Sequence, residues 1–280
     1  TPDPQAEVAS EGQLRSARFK RFRAEHQWLQ WLALALVVIG AVLLLMSPIV
    51  GGALIGFVLI VAIIIYMYQA SKAEAEFFQA YADARGLTCD EDPGRPGGEV
   101  PLLDKGDKRK YERVLSGRIG GSSASICEYT YTEITTDSEG NRSETDYHFT
   151  LVHMKLPPAV ANRFAGVYLR KKGLINLGGK LQDKMQHDRA VTTESLEFHK
   201  RYNLRVVDGQ DDIALFELFN TTFLHGVSVS DKVTGDDIQW EQVRDDLIVY
   251  VKDHKETVAE LDQLATLAAW IERRYHEEYQ

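Results

Sequence analysis

A glycine-rich segment and several histidines are the first candidates in this chain for binding a phosphate or a metal ion. The segment GLINLGGKL (Gly173–Leu181) invites comparison with a phosphate-binding loop. Such a loop needs Gly, four residues and then Gly-Lys-Ser/Thr, so that a lysine and a metal-binding hydroxyl meet the phosphates. Gly179 stands where the pattern requires the lysine. The segment therefore predicts a turn before the helix KLQDKMQ and no nucleotide site.

A metal site is equally poorly supported. His148 and His153 lie five residues apart on a predicted strand, and an odd separation places them on opposite faces, where they cannot share one ion. The other histidines are scattered, and the sequence contains neither Cys-x-x-Cys nor His-Glu-x-x-His. We therefore expect no metal and no cofactor.

Nucleophilic catalysis also lacks a signature, because no Gly-x-Ser-x-Gly occurs. Cys127 shares a predicted strand face with Tyr129 and Tyr131, which is typical of a thiol in a core. Glu194, Glu197 and His199 form either an acid/base cluster or a charged strand edge, and the edge is the simpler interpretation. No catalytic residue is predicted.

The chain is far more informative about a membrane. No Asp, Glu, Lys, Arg or His occurs between Gln27 and Ser71. An α-helix needs about 20 apolar residues to cross a bilayer core of about 30 Å. Trp28–Met46 and Ile49–Tyr68 are two such runs. The alternative, a buried hairpin in a soluble core, is disfavoured because so long an uncharged stretch is costly in water.

The residues between and within the two runs define how they are joined. Pro48, Gly51 and Gly52 predict a tight turn, since proline removes a backbone donor and glycine tolerates a reversal. Gly52 and Gly56 have the small-xxx-small spacing that lets membrane helices approach closely. That pair is either a dimer face or the contact between the two spans, and both interpretations remain open.

Basic residues predict the orientation. The positive-inside rule places the N-terminus in the cytoplasm, because basic residues precede the first span and the turn carries none. Two spans return the chain to the same side, so both termini are expected in the cytoplasm. The segment RFKRFRAEHQWLQWL is either an interfacial amphipathic helix or an extension of the first span.

Three regions follow: a basic cytoplasmic segment (1–27), a transmembrane hairpin (28–70) and a cytoplasmic domain (71–280). The last region holds 27 Lys and Arg against 37 Asp and Glu, which argues against nucleic acid as a partner. Cys89 and Cys127 are no disulfide framework for a domain of this size.

The cytoplasmic region has the alternating patterns of an antiparallel sheet and the spacing of several helices. Helix is predicted from Ser71 to a stop at Gly86, as a stalk continuing the second span. A capping box at Thr257 and Glu260 begins an amphipathic tail helix. The fold class is therefore α+β with a mainly antiparallel sheet and a C-terminal amphipathic helix. The other predicted elements are a hairpin with its tip at Asp137–Arg142, strands in 111–119, 164–172 and 196–207, a helix from 212 to 225 ended by Gly226, and a hairpin turning at 244–246.

Two locally basic clusters interrupt this acidic region. On a domain tethered below an anionic leaflet, such clusters are attracted to the surface. We therefore expect them to face the membrane, the alternative being two solvated loops. They comprise Lys105, Lys108, Arg109, Lys110, Arg170, Lys171 and Lys172.

The segment ESLEFHKRYNLRVVDGQDDIALFELFNTTFL, together with the two helices before it, resembles a bacterial membrane-protein family described only as a domain of unknown function. His199 departs from the family's Asn-like position, and Asn220–Thr221 departs from its Thr-Pro-like stretch. The resemblance implies a bacterial inner-membrane protein and supplies no activity. The matching positions are Ser195, Glu197, Phe198, Lys200, Arg201, Asp212, Phe219 and Phe223.

Two function classes remain. The first is a membrane-anchored interaction or regulatory module, such as an accessory subunit of a membrane complex, with the lipid bilayer and a protein or a second copy as partners. The second is a membrane-tethered enzyme without a recognisable motif. The absence of catalytic and cofactor motifs favours the first.

Overall fold

A computed structural model describes residues 9–90, 93–95, 100–164, 166–172, 188–234 and 237–279. The segment Gly173–Leu181, the helix predicted after it, and parts of the loop DEDPGRPGGEVP lie outside these residues. The chain divides into two compact units, a helical unit ending at Ala84 and a sheet unit beginning at Arg85. This division falls later than residue 70, where the membrane boundary is predicted, because one helix continues without interruption.

From residue 9 onward, where the structure describes it, the helical unit contains three helices. They are α1 (Glu11–Glu25), α2 (Gln27–Met46) and α3 (Pro48–Arg85). Ser10 caps α1 reciprocally with Gln13, and His26 separates α1 from α2. The predicted stalk is confirmed as the second half of α3, and Gly86, with a φ of 65°, follows its end.

The predicted turn is wrong in its residues. Ser47 alone, in extended conformation, separates α2 from α3. Pro48 begins α3, where its fixed φ and missing N–H are well tolerated. Gly51 and Gly52 lie inside α3, and the Gly51 N–H donates to the Ser47 carbonyl at 3.0 Å. The glycines therefore do not form the reversal.

The sheet unit confirms the α+β class. Its described strands form one antiparallel sheet in the order β1-β2-β3-β4-β9-β8-β5-β7-β6. The strands are β1 (Thr88–Asp90), β2 (Lys108–Ile119), β3 (Ser122–Thr136), β4 (Arg142–Lys155), β5 (Val167–Lys171), β6 (Asp188–Ala190), β7 (Tyr202–Val207), β8 (Gln239–Val243) and β9 (Asp246–Lys252). The described helices are a 3-10 turn (Pro101–Asp104), α4 (Pro158–Arg163), α5 (Leu196–Arg201), α6 (Asp212–Leu218), α7 (Thr221–Thr234) and α8 (Val258–Glu277).

Alternation along β3 explains the core on one sheet face. Cys127, Tyr129 and Tyr131 are fully buried on that face, as predicted. Tyr129 and Phe149 pack together with Leu102 of the 3-10 turn. The backbone carbonyl of Leu102 accepts a hydrogen bond from the Tyr129 hydroxyl at 3.1 Å. The 3-10 turn therefore covers this face of the sheet.

Helix α8 belongs to the other layer. Its N-cap is Thr257, and its apolar stripe is buried, as the sequence predicts. Tyr275 of α8 accepts a hydrogen bond from Trp240 Nε1 at 3.3 Å. The Trp240 ring also stacks on Phe219 with centroids 6.1 Å apart. Strand β8 and the C-terminal helices therefore share a continuous core.

Two predicted elements differ in the structure. The stretch 196–207 is a helix followed by a strand, because the Ser195 hydroxyl accepts the Phe198 N–H and starts a turn. The helix predicted from 212 to 225 is split, because the Asn220 side chain accepts the Phe223 N–H and caps a new helix. Gly226 lies within α7, and a Cβ there would approach the Trp270 ring at 2.9 Å. It is a packing glycine and not a helix stop.

Candidate functional site

Helices α2 and α3 expose their apolar side chains. Each is long and apolar enough to cross a membrane, and only 6% of its most apolar window is buried. Leu45, Met46 and Ile49 are 88%, 81% and 84% exposed. A core helix of a soluble protein would bury such residues. The two helices therefore indicate association with a membrane.

The two apolar helices contact each other through glycines other than the predicted pair. A Cβ on Gly51 would lie 2.6 Å from the Gly40 carbonyl oxygen, and one on Gly40 would lie 2.8 Å from Ile55. A Cβ on Gly52 or Gly56 would meet nothing within 4 Å. Gly40 and Gly51 therefore permit the close contact, whereas Gly52 and Gly56 do not serve it. Their role as a dimer face stays a prediction.

Helix α1 lies beside α3. Arg18 Nε donates to Glu76 Oε2 at 2.7 Å, and Arg18 also reaches Gln69 at 3.4 Å. The rings of Phe19 and Tyr66 meet edge to face at 6.1 Å. Of the two interpretations of the basic segment, these contacts favour an extension of the first span.

The predicted basic clusters are largely neutralised by acids of the sheet unit. Lys108 pairs with Glu144 at 2.7 Å, and Lys110 pairs with Glu112 at 2.6 Å. Lys171 pairs with Asp237. Because these carboxylates pair with the lysines, the free positive charge is smaller than the sequence indicates.

Further contacts hold Arg109 and Lys105. Arg109 donates to the backbone carbonyls of Lys105 at 2.9 Å and Asp104 at 2.6 Å. Burial and the neighbouring Arg170 lower the pKa of Lys105, whose ammonium lies 5.8 Å from the centre of the Tyr131 ring. The exposed Lys172 makes a backbone hydrogen bond to Arg201. That these side chains face a membrane stays a prediction.

Arg170 contradicts its assignment to a membrane-facing cluster. It is only 8% exposed, and its guanidinium pairs with the fully buried Glu241 at 2.6 Å. Glu241 also accepts the Leu102 N–H at 2.8 Å and the Tyr250 hydroxyl at 3.3 Å. Burial would lower the pKa of Arg170, but Glu241 raises it. The pair connects β5 and β8 to the 3-10 turn.

A second cluster of titratable groups surrounds His254. Its Nε2 lies 3.3 Å from Thr130 Oγ1, which also lies 2.9 Å from His148 Nδ1. Its Nδ1 lies 3.6 Å from Oε1 of the buried Glu128. Burial, followed by the neighbouring His148, lowers the pKa of His254 to about 4. The imidazole is therefore neutral at pH 7.

The order Thr130–His254–Glu128 resembles a nucleophile, base and acid, but the geometry does not match that chemistry. The 3.6 Å separation between His254 and Glu128 exceeds a hydrogen bond, so the carboxylate does not orient the ring. Glu128 instead pairs with Arg113 at 3.0 Å. This arrangement can take up a proton in acid, and it does not activate the Thr130 hydroxyl.

The other candidate catalytic and metal-binding side chains that the structure describes make contacts typical of structural residues. Cys127 is buried, which raises the pKa of its thiol to about 12, and its Sγ donates to the Glu128 carbonyl at 3.1 Å. His153 Nε2 contacts Asp246 Oδ1 at 2.6 Å, far from the partners of His148. His199 Nε2 accepts the Thr193 N–H at 2.6 Å. Among the described residues, no three His, Cys, Asp or Glu side chains are grouped to hold a metal ion.

One surface was not found from the sequence. Ile213 and Phe216 of α6 are 69% and 52% exposed, although most large apolar residues of the sheet unit are buried. Three residues apart on a helix, they lie on one face. Asp212 and Glu217 beside them pair with Arg189 and Arg163. Their exposure could not be read from sequence, because the core-facing residues of α6 are equally apolar.

No protein-family model matches this chain, and neither a curated protein nor a solved structure shows significant similarity to it. The resemblance to a membrane-protein family of unknown function therefore stays an expectation.

Proposed function

We propose that this chain is a membrane-anchored interaction module of the bacterial inner membrane. Its helical unit crosses the bilayer as a hairpin with both ends in the cytoplasm, and its sheet unit recruits or regulates a protein there. The function fits an accessory subunit of a membrane complex. Ile213 and Phe216, the most exposed large apolar side chains described in the sheet unit, are the observation that carries the partner assignment.

The anchor rests on two further features. The uncharged stretch Gln27–Ser71 forms two helices with outward apolar side chains. Trp28 and Trp31 begin the first helix, where aromatic residues suit the headgroup region. Neither span contains an ionisable residue, so an ion or proton path through this hairpin alone is not proposed.

The partner assignment is tested by gentle detergent extraction of the tagged full chain. A partner that uses α6 should co-purify with the wild-type chain and be lost from the variant Ile213→Ser/Phe216→Ser. Val229→Ser is the matched control, because Val229 is 42% exposed on α7. Equal recovery of every co-purifying protein with all three chains would contradict the role of α6.

A second test concerns orientation. A reporter fused after residue 280 should report the cytoplasm, and one inserted after Ser47, between α2 and α3, should report the opposite side. A reporter after residue 280 that lies outside would contradict the proposed orientation.

A further inference from the structure

An open groove of about 580 Å³ lies at the junction of α1 and α2. Its lining residues recur at intervals of three and four, so they lie along one face of the two helices. They are Arg23, Ala24, Gln27, Gln30, Trp31 and Leu34.

The lining changes from charged to apolar along the chain. Arg23 lies at the end of α1, and the amides of Gln27 and Gln30 follow. Trp31, which is 71% exposed, and Leu34 complete the groove on the first apolar helix. At 1.5 Å per residue this sequence covers about 16 Å. The headgroup layer is about 5–8 Å deep on each side of the hydrocarbon core, so the groove is long enough to reach from a phosphate into the acyl region.

Arg23 is held in place without being neutralised. Gln30 Nε2 donates to the Arg23 carbonyl at 2.8 Å, and the Arg23 guanidinium lies 3.4 Å from Gln30 Oε1. These contacts cross the break at His26. Arg18 pairs with Glu76, whereas Arg23 has no acidic partner within the described residues. Its guanidinium can therefore bind a phosphate through two parallel hydrogen bonds.

We propose that this groove binds the headgroup of an anionic phospholipid, with its phosphate on Arg23 and the start of an acyl chain along Trp31 and Leu34. The inference rests on the proposed membrane anchor. An anionic headgroup is favoured over a zwitterionic one because α1 carries five basic residues against two acidic ones. The glutamine amides supply donors to the headgroup oxygens.

The test uses the full chain in nanodiscs of mixed phosphatidylglycerol and phosphatidylcholine. Native mass spectrometry measures which lipid stays bound when the protein is released. The wild-type chain should retain phosphatidylglycerol preferentially, and Arg23→Gln should reduce that preference about tenfold, since a charge-assisted contact is lost. Arg21→Gln is the matched control, because Arg21 is an exposed arginine of α1 outside the groove.

The outcomes separate the lipid site from the anchor. No lipid preference in the wild-type chain, or equal losses in Arg23→Gln and Arg21→Gln, would overturn the site. Circular dichroism checks that both variants keep the wild-type helix content, and Gln27→Leu, which keeps every charge, should also weaken retention. Incorporation into nanodiscs is scored separately, because a chain that does not incorporate contradicts the anchor and not the groove.

Discussion

The two units of this protein distribute their side chains in opposite ways. In the two spans of the helical unit (28–46 and 49–68) most large apolar residues point outward, and Gly40 and Gly51 are the buried residues. In the sheet unit the corresponding residues point inward, and Trp240 and Phe149 are at most 2% exposed. The sheet unit even buries a charged pair, whereas the spans contain no charge.

The outward apolar side chains of the spans suit lipid, whereas the buried core of the sheet unit suits water. Apolar surface left in water costs roughly 25 cal/mol per Å² relative to burial. The outward leucines and isoleucines of the helical unit are therefore stable only when lipid or another protein covers them. The sheet unit instead buries its large apolar residues in its own core.

The largest expected effect concerns the buried charge of the sheet unit. Glu241→Ala leaves the Arg170 guanidinium buried without its partner, which should lower the free energy of unfolding by about 3–5 kcal/mol. Urea unfolding of fragment 72–280 measures it, a fragment that keeps the buried Phe77, Phe78 and Tyr81. Glu144→Ala removes the exposed pair with Lys108 and should cost less than about 1 kcal/mol. Equal losses of unfolding free energy in the two variants would contradict the claim that the buried pair matters more than the exposed one.

Acid should destabilise the sheet unit through His254. The fold holds the pKa of His254 near 4, below the ordinary value of 6.5, so the unfolded chain binds the proton more readily. The stabilisation is complete above pH 6.5 and is lost as the pH falls toward 4, by at most about 3 kcal/mol. His254→Gln should flatten unfolding curves measured across this range. The control is the exposed His225, and equal flattening by His225→Gln would contradict the role of His254.

An alanine at Gly51 should weaken the contact between α2 and α3, whereas an alanine at Gly52 should not. Gly51→Ala forces a methyl group against the Gly40 carbonyl, which should destabilise the hairpin by about 1–3 kcal/mol. Gly52→Ala meets open space and should be neutral or slightly stabilising. The stabilities of the two variants are compared by Förster transfer between labels at Leu29 and Met67. The transfer is followed through an SDS titration in a Cys89→Ser background. A larger effect at Gly52 would reverse the assignment.

The basic clusters should give the smallest effect. Lys108 and Lys110 are paired with acids, so replacing both with glutamine should change binding of fragment 72–280 to anionic vesicles by less than about 1 kcal/mol per residue. Sedimentation with phosphatidylglycerol vesicles measures this change. If the wild-type fragment binds the vesicles strongly and the double variant does not bind, these lysines are the main membrane contact.

Local patterns were enough to predict much of the fold. The uncharged stretch, the alternation of Cys127, Tyr129 and Tyr131, and the capping box at Thr257 each depend on neighbours in sequence. The structure confirms the α+β class, the long hairpin and the tail helix. Asn220 was missed because its capping role competes with an otherwise continuous helical pattern.

Contacts between distant segments were not predictable from the residues alone. Arg170 lies in a basic triplet, and only the pairing of β5 with β8 shows that Glu241 buries it. Likewise, Gly40 and Gly51 meet only when α2 and α3 pack, whereas the sequence spacing pointed to Gly52 and Gly56.

Cysteine accessibility tests most directly whether the spans lie in lipid while the sheet unit lies in water. In the full chain with Cys89→Ser, the buried Cys127 should stay unreactive. Ile60 is 57% exposed on α3 and the Glu144 side chain is 45% exposed on β4, so both Ile60→Cys and Glu144→Cys would react in water. In inverted inner-membrane vesicles, a membrane-impermeant maleimide should label Glu144→Cys and leave Ile60→Cys unlabelled until SDS dissolves the membrane. The Cys89→Ser chain gives the labelling of Cys127 that SDS exposes, and this background is subtracted. Equal labelling of the two cysteines before SDS would contradict the account.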